Sequence, residues 1–153
     1  MREIHIYDMD GVLVDSMHRF RTLENGKIDL QYWLDNEHKA LNDSLLPLSV
    51  QYKAQLADKH IYTVIATARV LNDPDKQFIA ETLGKPDHII SRNGRGDIRR
   101  GAELKTNGLK KLLNLKQFRG VVRHFWEDNL DYLYPVCDAI GAIPHYIESK
   151  QGC

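Results

Sequence analysis

The stretch EIHIYDMDGVLVDS, residues 3–16, decides the fold of this chain. Residues 3–7 alternate or run apolar and predict a buried strand that ends at Asp8. Asp8 and Asp10 flank a single methionine, and Gly11 follows where the chain has to turn. Asp-Gly is also a common turn pair, so the stretch alone leaves a plain turn open. A strand that runs into Asp-x-Asp-Gly nevertheless brings two carboxylates to one place at the edge of a sheet.

Length and composition predict one domain over residues 1–153. The chain has 42% hydrophobic and 27% charged residues, which is ordinary globular composition. Lys+Arg and Asp+Glu number 21 each, so any attraction to phosphate has to be local. Two cysteines are too few for a disulfide framework, which favours a reducing, cytoplasmic location. No apolar run approaches the ~18 residues of a membrane span, and no signal region precedes the first strand, so we expect no membrane partner.

The remaining pattern alternates strands with helices. Pro135 argues against a helix over the first half of 130–140, and Gly108 weakens the helix over 102–115. Such alternation predicts an α/β fold with a parallel sheet covered on both faces. The predicted strands are 3–8, 61–67, 88–91, 121–126 and 142–147, and the predicted helices are 29–42, 48–59, 72–84, 102–115 and 130–140.

Polar chemistry follows the carboxyl end of each early strand, where parallel sheets gather function. Several carboxylates at one rim would repel each other without a cation, and oxygen ligands suit Mg²⁺. We therefore predict a Mg²⁺ cofactor and a phosphate substrate, with Asp8 as nucleophile and Asp10 as the acid that protonates the leaving oxygen. The rim residues are Asp8, Asp10, Thr67, Arg69, Arg92, Arg95, Asp97, Glu127 and Asp128, and Lys105 lies on the helix after the third strand.

Four motifs resemble the haloacid dehalogenase-like phosphatase superfamily. They are DMDGVL, VIATAR, Lys105 in AELKT, and FWEDNLD, and they span residues 8–131. The resemblance implies a Rossmann-like three-layer sandwich with a parallel sheet of order 5-4-1-2-3. It also implies an aspartyl-phosphate on Asp8, general acid/base catalysis by Asp10, and phosphate binding by Thr67 and Lys105. The metal ligands it implies are Asp8, the Asp10 carbonyl and Asp128, to which we add Glu127.

A closer resemblance is to the 3'-phosphatase domain of phage-type polynucleotide kinase/phosphatases. It rests on the ATAR motif, a helix that starts at Asp-Pro, and an Arg-rich loop over residues 92–99. The sequence departs from those domains at Gly101 and at Glu127, where they carry an acid and an Asp. The resemblance implies four substrate-binding arginines, which are Arg19, Arg69, Arg92 and Arg95.

About 45 to 50 residues separate the first two motifs, which predicts a small helical insertion at about 17–58 and a small or absent cap. A lightly covered site admits a nucleotide or a nucleic-acid end. The favoured hypothesis is a Mg²⁺-dependent phosphomonoesterase that removes 3'-phosphate from polynucleotide or nucleotide ends. The alternatives are a 5'-nucleotidase or small-metabolite phosphatase of the same fold, and a non-catalytic phosphate-binding module. The second acid, Asp10, argues against the last, because binding alone does not need it.

Overall fold

A parallel five-stranded sheet forms the centre of the protein. The computed structural model describes residues 1–19, 23–25 and 27–149, and for Arg19 it describes the backbone only. The strands run in the order β3-β2-β1-β4-β5, which is the predicted order 5-4-1-2-3 read from the opposite edge. Two further short strands, Val14–Asp15 and Ser44–Leu45, lie between β1 and β2 in the chain. When they are counted as well, the same order reads 5-4-1-6-7. The strand bounds are β1 Glu3–Tyr7, β2 Ile61–Val70, β3 His88–Arg92, β4 Val122–Glu127 and β5 Ile143–Tyr146.

Helices cover both faces of the sheet, as the three-layer prediction requires. Ile4 and Ile6 of β1 pack in one core cluster with Leu109 and Leu133 from the helices on that face. Tyr7, which points to the other face, packs in a second cluster. Because successive side chains of a strand alternate between faces, one short strand serves both clusters. The α-helices are α1 Leu30–Asp35, α2 Ser49–Leu56, α3 Asp73–Phe78, α4 Gly101–Leu113 and α5 Leu130–Ile140.

Two of the predicted helices are interrupted. The predicted helix 29–42 begins as expected, with the Asp29 side chain accepting from the Tyr32 backbone N–H at 3.1 Å. It breaks at Asn36, whose side chain donates to the Tyr32 carbonyl at 2.7 Å, and continues as the 3₁₀-helix Glu37–Asn42. Such local side-chain bonds compete with the helical ladder. The predicted helix 72–84 changes to a π-helix over Ile79–Leu83.

Other sequence predictions are corrected at their boundaries. The second strand does not end at residue 67 but continues to Val70, with a register shift between Ala66 and Val70 in its pairing to β3. Helix α5 is continuous through Pro135, so the predicted helix over 130–140 includes the first half that Pro135 had called into question. Gly108 allows close packing, because a Cβ there would lie 2.7 Å from Cγ2 of Ile90.

The segment between β1 and β2 is short and partly integrated into the sheet layers. Val14–Asp15 pairs antiparallel with Ser44–Leu45, and Tyr52 of α2 is fully buried in the second core cluster. Within the described part of this segment, α1, the 3₁₀-helix after it and Ile28 lie beside the predicted site. The division into one domain with an insertion at about 17–58 stays a prediction.

No helix in the part of the chain that the structure describes is long and apolar enough to cross a membrane. The cytoplasmic location stays a prediction.

A row of stacked rings lies on one face of the sheet, across β1, β4 and β5. The rings of His5 and His124 stack at a centroid distance of 4.4 Å, and those of Trp126 and His145 at 3.9 Å. Nδ1 of His124 and Nε2 of His145 are 2.8 Å apart. Burial lowers the pKa of His5 and of His145, and the neighbouring His124 lowers both further.

These lowered pKa values predict a loss of stability in acid. Because the folded state binds protons on His5 and His145 less tightly than the unfolded state, stability falls as pH drops below about 6.5. We expect the melting temperature of His145→Gln to fall less between pH 7 and pH 5 than that of the wild type. The matched control is His60→Gln at an exposed position, which should follow the wild type. Equal slopes for all three proteins would contradict this account.

Candidate active site

The carboxyl ends of β1, β2 and β4 meet at one edge of the sheet. Asp8 directly follows β1, Thr67 lies within β2, and Glu127 ends β4. All three side chains are buried, as is Asp128 beside Glu127. The sheet order places β1 between β2 and β4, so groups far apart in sequence converge on Asp8.

Lys105 crosses from α4 into this edge and joins two of the carboxylates. Its ammonium donates to Oδ1 of Asp8 and to Oε2 of Glu127, both at 3.0 Å. The same ammonium lies 5.0 Å from the centre of the Tyr132 ring. Burial alone would lower the pKa of Lys105, but the charges of Asp8 and Glu127 raise it above its ordinary value. Lys105 is therefore a buried, permanently charged group beside the nucleophile candidate.

Three carboxylates surround this single ammonium. Asp8, Glu127 and Asp128 each offer an oxygen, and these oxygens lie within 4.8 Å of one another. Oε1 of Glu127 is buried without a hydrogen-bond partner among the described residues, and the buried Asp128 carboxyl group interacts with Asp8 and Ser149. Burial and the nearby Asp8 charge raise the pKa of Glu127 well above its ordinary value and that of Asp128 to about 8.

The donor set fits a hard divalent cation. Buried carboxylate oxygens without partners are costly unless a cation or proton compensates them. Carboxylate oxygens suit Mg²⁺, and the clustered acids are the predicted ligands Asp8, Asp128 and Glu127. Their binding of a metal stays a prediction. The contribution of the Asp10 carbonyl stays a prediction.

Gly11 makes the close approach at this edge possible. Its φ of +78° lies in the left-handed region, and a Cβ at this position would lie 2.3 Å from Oδ2 of Asp128. The same Cβ would lie 2.4 Å from Oγ of Ser149. The glycine after Asp10 therefore serves both the turn and the packing of the acidic cluster.

Asp10 and Arg69, which the sequence assigns to catalysis and to substrate binding, are paired with each other. Nε of Arg69 donates to Oδ2 of Asp10 at 2.7 Å, and Nη2 donates to Oδ1. Ser16 donates to the same Oδ1 at 2.7 Å. This two-pronged contact holds the Asp10 carboxylate in one orientation at the mouth of the site.

The rest of the Arg69 guanidinium is also engaged by protein groups. Nη1 donates to Asp75 at 2.8 Å, Nη2 lies 3.4 Å from Asp43, and the group sits over the Trp33 ring at 5.2 Å. Burial opposes the charge, yet Asp10, Asp75 and Asp43 raise the pKa of Arg69 above its ordinary value. Its role in this structure is to position Asp10 and to tie it to the segment that precedes β2.

Replacement of Arg69 tests this positioning role. We expect Arg69→Lys to lower the free energy of unfolding by about 2–3 kcal/mol, because lysine keeps the charge but cannot form the fork. Denaturant unfolding measures the change. The matched control is Arg95→Lys, because the Arg95 side chain is 67% exposed and such pairs contribute about 0–1 kcal/mol. Equal effects of the two substitutions would contradict the assignment.

The other residues that were predicted to bind substrate differ in the contacts they make. Thr67 is buried, and its Oγ1 accepts from the Arg69 backbone N–H at 3.1 Å. Arg92 donates to the carbonyls of Ala68, Asp97 and Arg99 at 2.9, 2.7 and 2.6 Å, so it shapes the loop after β3. The predicted contact of Arg19 lies outside the described side chains.

Residues that sequence reasoning missed support the site from distant segments. Asp75 belongs to a capping box with Asn72 at the start of α3. This local signal accounts for the position of Asp75 but does not predict its contact with Arg69. Tyr132 lies beside Lys105, and a Cβ at Gly101 would lie 2.6 Å from its ring. The departure from the family pattern at Gly101 thus has a packing reason.

A cavity of about 480 Å³ opens onto Asp8, Asp10, Thr67 and Lys105. Its size falls within the roughly 300–1,000 Å³ typical of small-ligand sites. Apolar residues from the α1 region, from β2 and from the loop after β3 form its outer walls. They are Ile28, Leu30, Trp33, Leu34, Val70 and Ile98.

Three solved structures have a fold similar to that of this chain. Two are chains titled "Structure of Pnkp1/Rnl/Hen1 complex" and "Structure of the Pnkp1/Rnl/Hen1 RNA repair complex", with TM-scores of 0.67 and 0.66 and identities of 17% and 19%. Each match covers 97% of this chain, which spans less than half of theirs, 46% and 43%. A third, a haloacid dehalogenase-like hydrolase from Streptococcus pneumoniae, has a TM-score of 0.62 and 14% identity over 97% of this chain and 88% of its own. The predicted haloacid dehalogenase-like fold is confirmed.

The sequence itself also matches a protein family. The model of the family described as "Bacteriophage T5 5'-deoxynucleotidase" matches residues 1–107, a span that includes Asp8, Asp10, Thr67 and Lys105. A comparison with curated proteins finds no match. The description of that family names a nucleotidase, which agrees with the expected class of enzyme. Because the match covers more than half of its length, the chain belongs to the bacteriophage T5 5'-deoxynucleotidase family.

Proposed function

We propose that the protein is a metal-dependent phosphomonoesterase that hydrolyses deoxynucleoside 5'-monophosphates through an aspartyl-phosphate. The observation that carries the proposal is the placement of Asp8 against the Lys105 ammonium, 3.0 Å away, within a cluster of buried acids. The family match favours this substrate over the 3'-phosphate end that the sequence motifs suggest first. The size of the cavity supports a mononucleotide.

The chain's own groups supply the steps of the reaction. An Asp8 oxygen attacks phosphorus in line, the bond from phosphorus to the 5'-oxygen breaks, and Asp10 gives a proton to that oxygen. Asp10 then takes a proton from water, which attacks the phosphorus and releases inorganic phosphate and Asp8. Lys105 and Thr67 bind the phosphoryl oxygens, and the fixed Lys105 charge is already in place when negative charge develops.

A Mg²⁺ ion held by Asp8, Asp128 and Glu127 would neutralise phosphoryl charge as a Lewis acid. Metal binding by the buried acidic cluster can be tested by protein stability, without an activity assay. We expect Mg²⁺ or Ca²⁺ to raise the melting temperature of the wild-type protein, because a ligand that binds only the folded state stabilises it. Asp128→Asn should weaken this shift, whereas Asp131→Asn on the exposed surface of α5 should retain it. No shift with either ion would count against the metal site.

A panel of phosphate esters tests the substrate. It contains deoxyadenosine 5'-monophosphate, deoxyadenosine 3'-monophosphate and an oligonucleotide with a 3'-phosphate, each assayed with Mg²⁺ for released phosphate. We expect the highest kcat/KM with the 5'-monophosphate. Hydrolysis of the 3'-phosphorylated oligonucleotide alone would overturn the proposal.

A 3'-phosphatase acting on polynucleotide ends is the second candidate. The observation that favours it is the arginine-rich loop after β3, where Arg92 and Arg95 line the cavity. Arg95 is largely exposed, and its Nη2 lies 3.1 Å from Oε2 of Glu37. A polynucleotide would have to displace this ion pair to use Arg95, which is one reason to rank this candidate second.

A further inference from the structure

Exposed apolar side chains stand at the mouth of the cavity. Ile98 is 91% exposed and is the most exposed large hydrophobic side chain in the described ranges, and Leu30 is 60% exposed. Single exposed apolar residues are common on protein surfaces. These two, however, come from separate segments and line one cavity with Asp8 and Lys105 at its floor. An apolar rim above a charged floor fits a ligand with a phosphate at one end and an apolar body at the other.

The two walls of this rim are joined across the cavity. Ile98 belongs to the loop between β3 and α4, and Leu30 begins α1. Arg95 from the loop contacts Glu37 from the 3₁₀-helix after α1 at 3.1 Å. Trp33 of α1 adds an aromatic surface to the same wall. Among the described residues, apolar groups from both segments therefore line the cavity, and the Arg95–Glu37 ion pair links the two segments.

The polar side chains of the outer walls are already bonded to other protein groups. Arg92 donates to three backbone carbonyls. Asp97 accepts from the Arg99 guanidinium at 2.7 Å and from the Asn93 backbone N–H at 3.1 Å. Arg95 and Glu37 are paired with each other. Apolar side chains therefore offer much of the surface that the body of a ligand would meet in these walls.

We propose that the outer cavity is a nucleobase subsite that holds the base by apolar contact with Leu30 and Ile98. The inference rests on the proposed function and goes beyond it, since it names the residues that contact the base. Apolar contact favours any planar base over no base, because each base has two apolar faces.

Steady-state kinetics on five substrates test the subsite. They are the four deoxynucleoside 5'-monophosphates and 2-deoxyribose 5-phosphate, which keeps the phosphate and sugar but lacks the base. We expect the KM for the sugar phosphate to be at least about 10-fold higher than the KM for each nucleotide. Equal KM values with and without a base would overturn the proposal.

Two substitutions test whether Leu30 and Ile98 cause this difference in KM. Leu30→Ser and Ile98→Ser should each raise KM for the nucleotides severalfold, about 10-fold in the double variant, with kcat retained and KM for 2-deoxyribose 5-phosphate unchanged. The matched control is Val50→Ser, at a 73% exposed residue that does not line the cavity. Unchanged nucleotide KM in the double variant would refute the subsite and leave the proposed function intact. Failure of the wild-type protein to hydrolyse any of the four nucleotides would instead refute the proposed function and the subsite together.

Discussion

Asp8→Asn is expected to reduce phosphate release by a factor of about 10⁴ to 10⁶, the scale seen when an enzyme loses its nucleophile. An amide in place of the carboxylate cannot form the aspartyl-phosphate. The substitution keeps the size of the side chain, and Lys105 keeps its contact with Glu127 at 3.0 Å, so the fold should persist. The measurement is initial-rate phosphate release from a deoxynucleoside 5'-monophosphate with Mg²⁺.

The control for this loss is Asp131→Asn, which changes an exposed acid on α5 and should retain wild-type activity. A circular dichroism spectrum like that of the wild type excludes unfolding of Asp8→Asn. Rapid quenching of the wild-type reaction should also trap phosphate on Asp8, detected by mass spectrometry. Hydrolysis that survives in Asp8→Asn at more than a few per cent of the wild-type rate would show that another group attacks phosphorus.

Asp10→Asn is expected to lower kcat for a deoxynucleoside 5'-monophosphate by about 10² to 10⁴, the usual contribution of a general acid or base. The asparagine oxygen can still accept from Nη2 of Arg69 and from Ser16, but its NH2 group cannot accept from Nε, so one prong of the Arg69 contact is lost. The loss should be much smaller in the first step for 2,4-dinitrophenyl phosphate, because its leaving group departs without a proton. A burst of dinitrophenol followed by slow turnover measures the two steps separately.

The comparison of the two substrates distinguishes the loss of an acid catalyst from a general distortion of the site. A substitution that merely distorted the site would slow both substrates alike. Arg69→Lys offers a companion test, because Arg69 holds Asp10 through Nε at 2.7 Å and does not touch Asp8 among the described contacts. We expect it to follow Asp10→Asn in direction, with a smaller loss. Equal losses for both leaving groups in Asp10→Asn would refute its role as the acid.

The sequence was sufficient for the sheet and for the inner site, because both depend on local signals. Strand periodicity and the turn at Gly11 place Asp8 at the end of β1, and each later strand is bounded by residues that stop it. The order of the sheet brings Thr67, Lys105 and Asp128 to the same edge. The superfamily resemblance predicted this order before any coordinates.

The partners of the arginines could not be predicted in the same way. Arg69 reaches Asp10, Asp43 and Asp75, and which carboxylate a long guanidinium side chain meets depends on how separate segments pack. Arg92 matched a substrate-binding motif, yet it donates to backbone carbonyls of its own loop and of β2. A one-dimensional pattern records that an arginine is present and does not record which acceptors surround it.

The sequence by itself determined the parallel α/β sheet and the acids at its carboxyl edge, because these follow from periodicity, turn residues and motif spacing along the chain. The superfamily resemblance implied the strand order. Only the tertiary structure decided that Arg69 is bound to Asp10 and that Gly101 makes room for Tyr132 beside Lys105. It also decided that Leu30 and Ile98 face one cavity. Those contacts join segments distant in sequence, and their geometry is set by the packing of helices on the sheet.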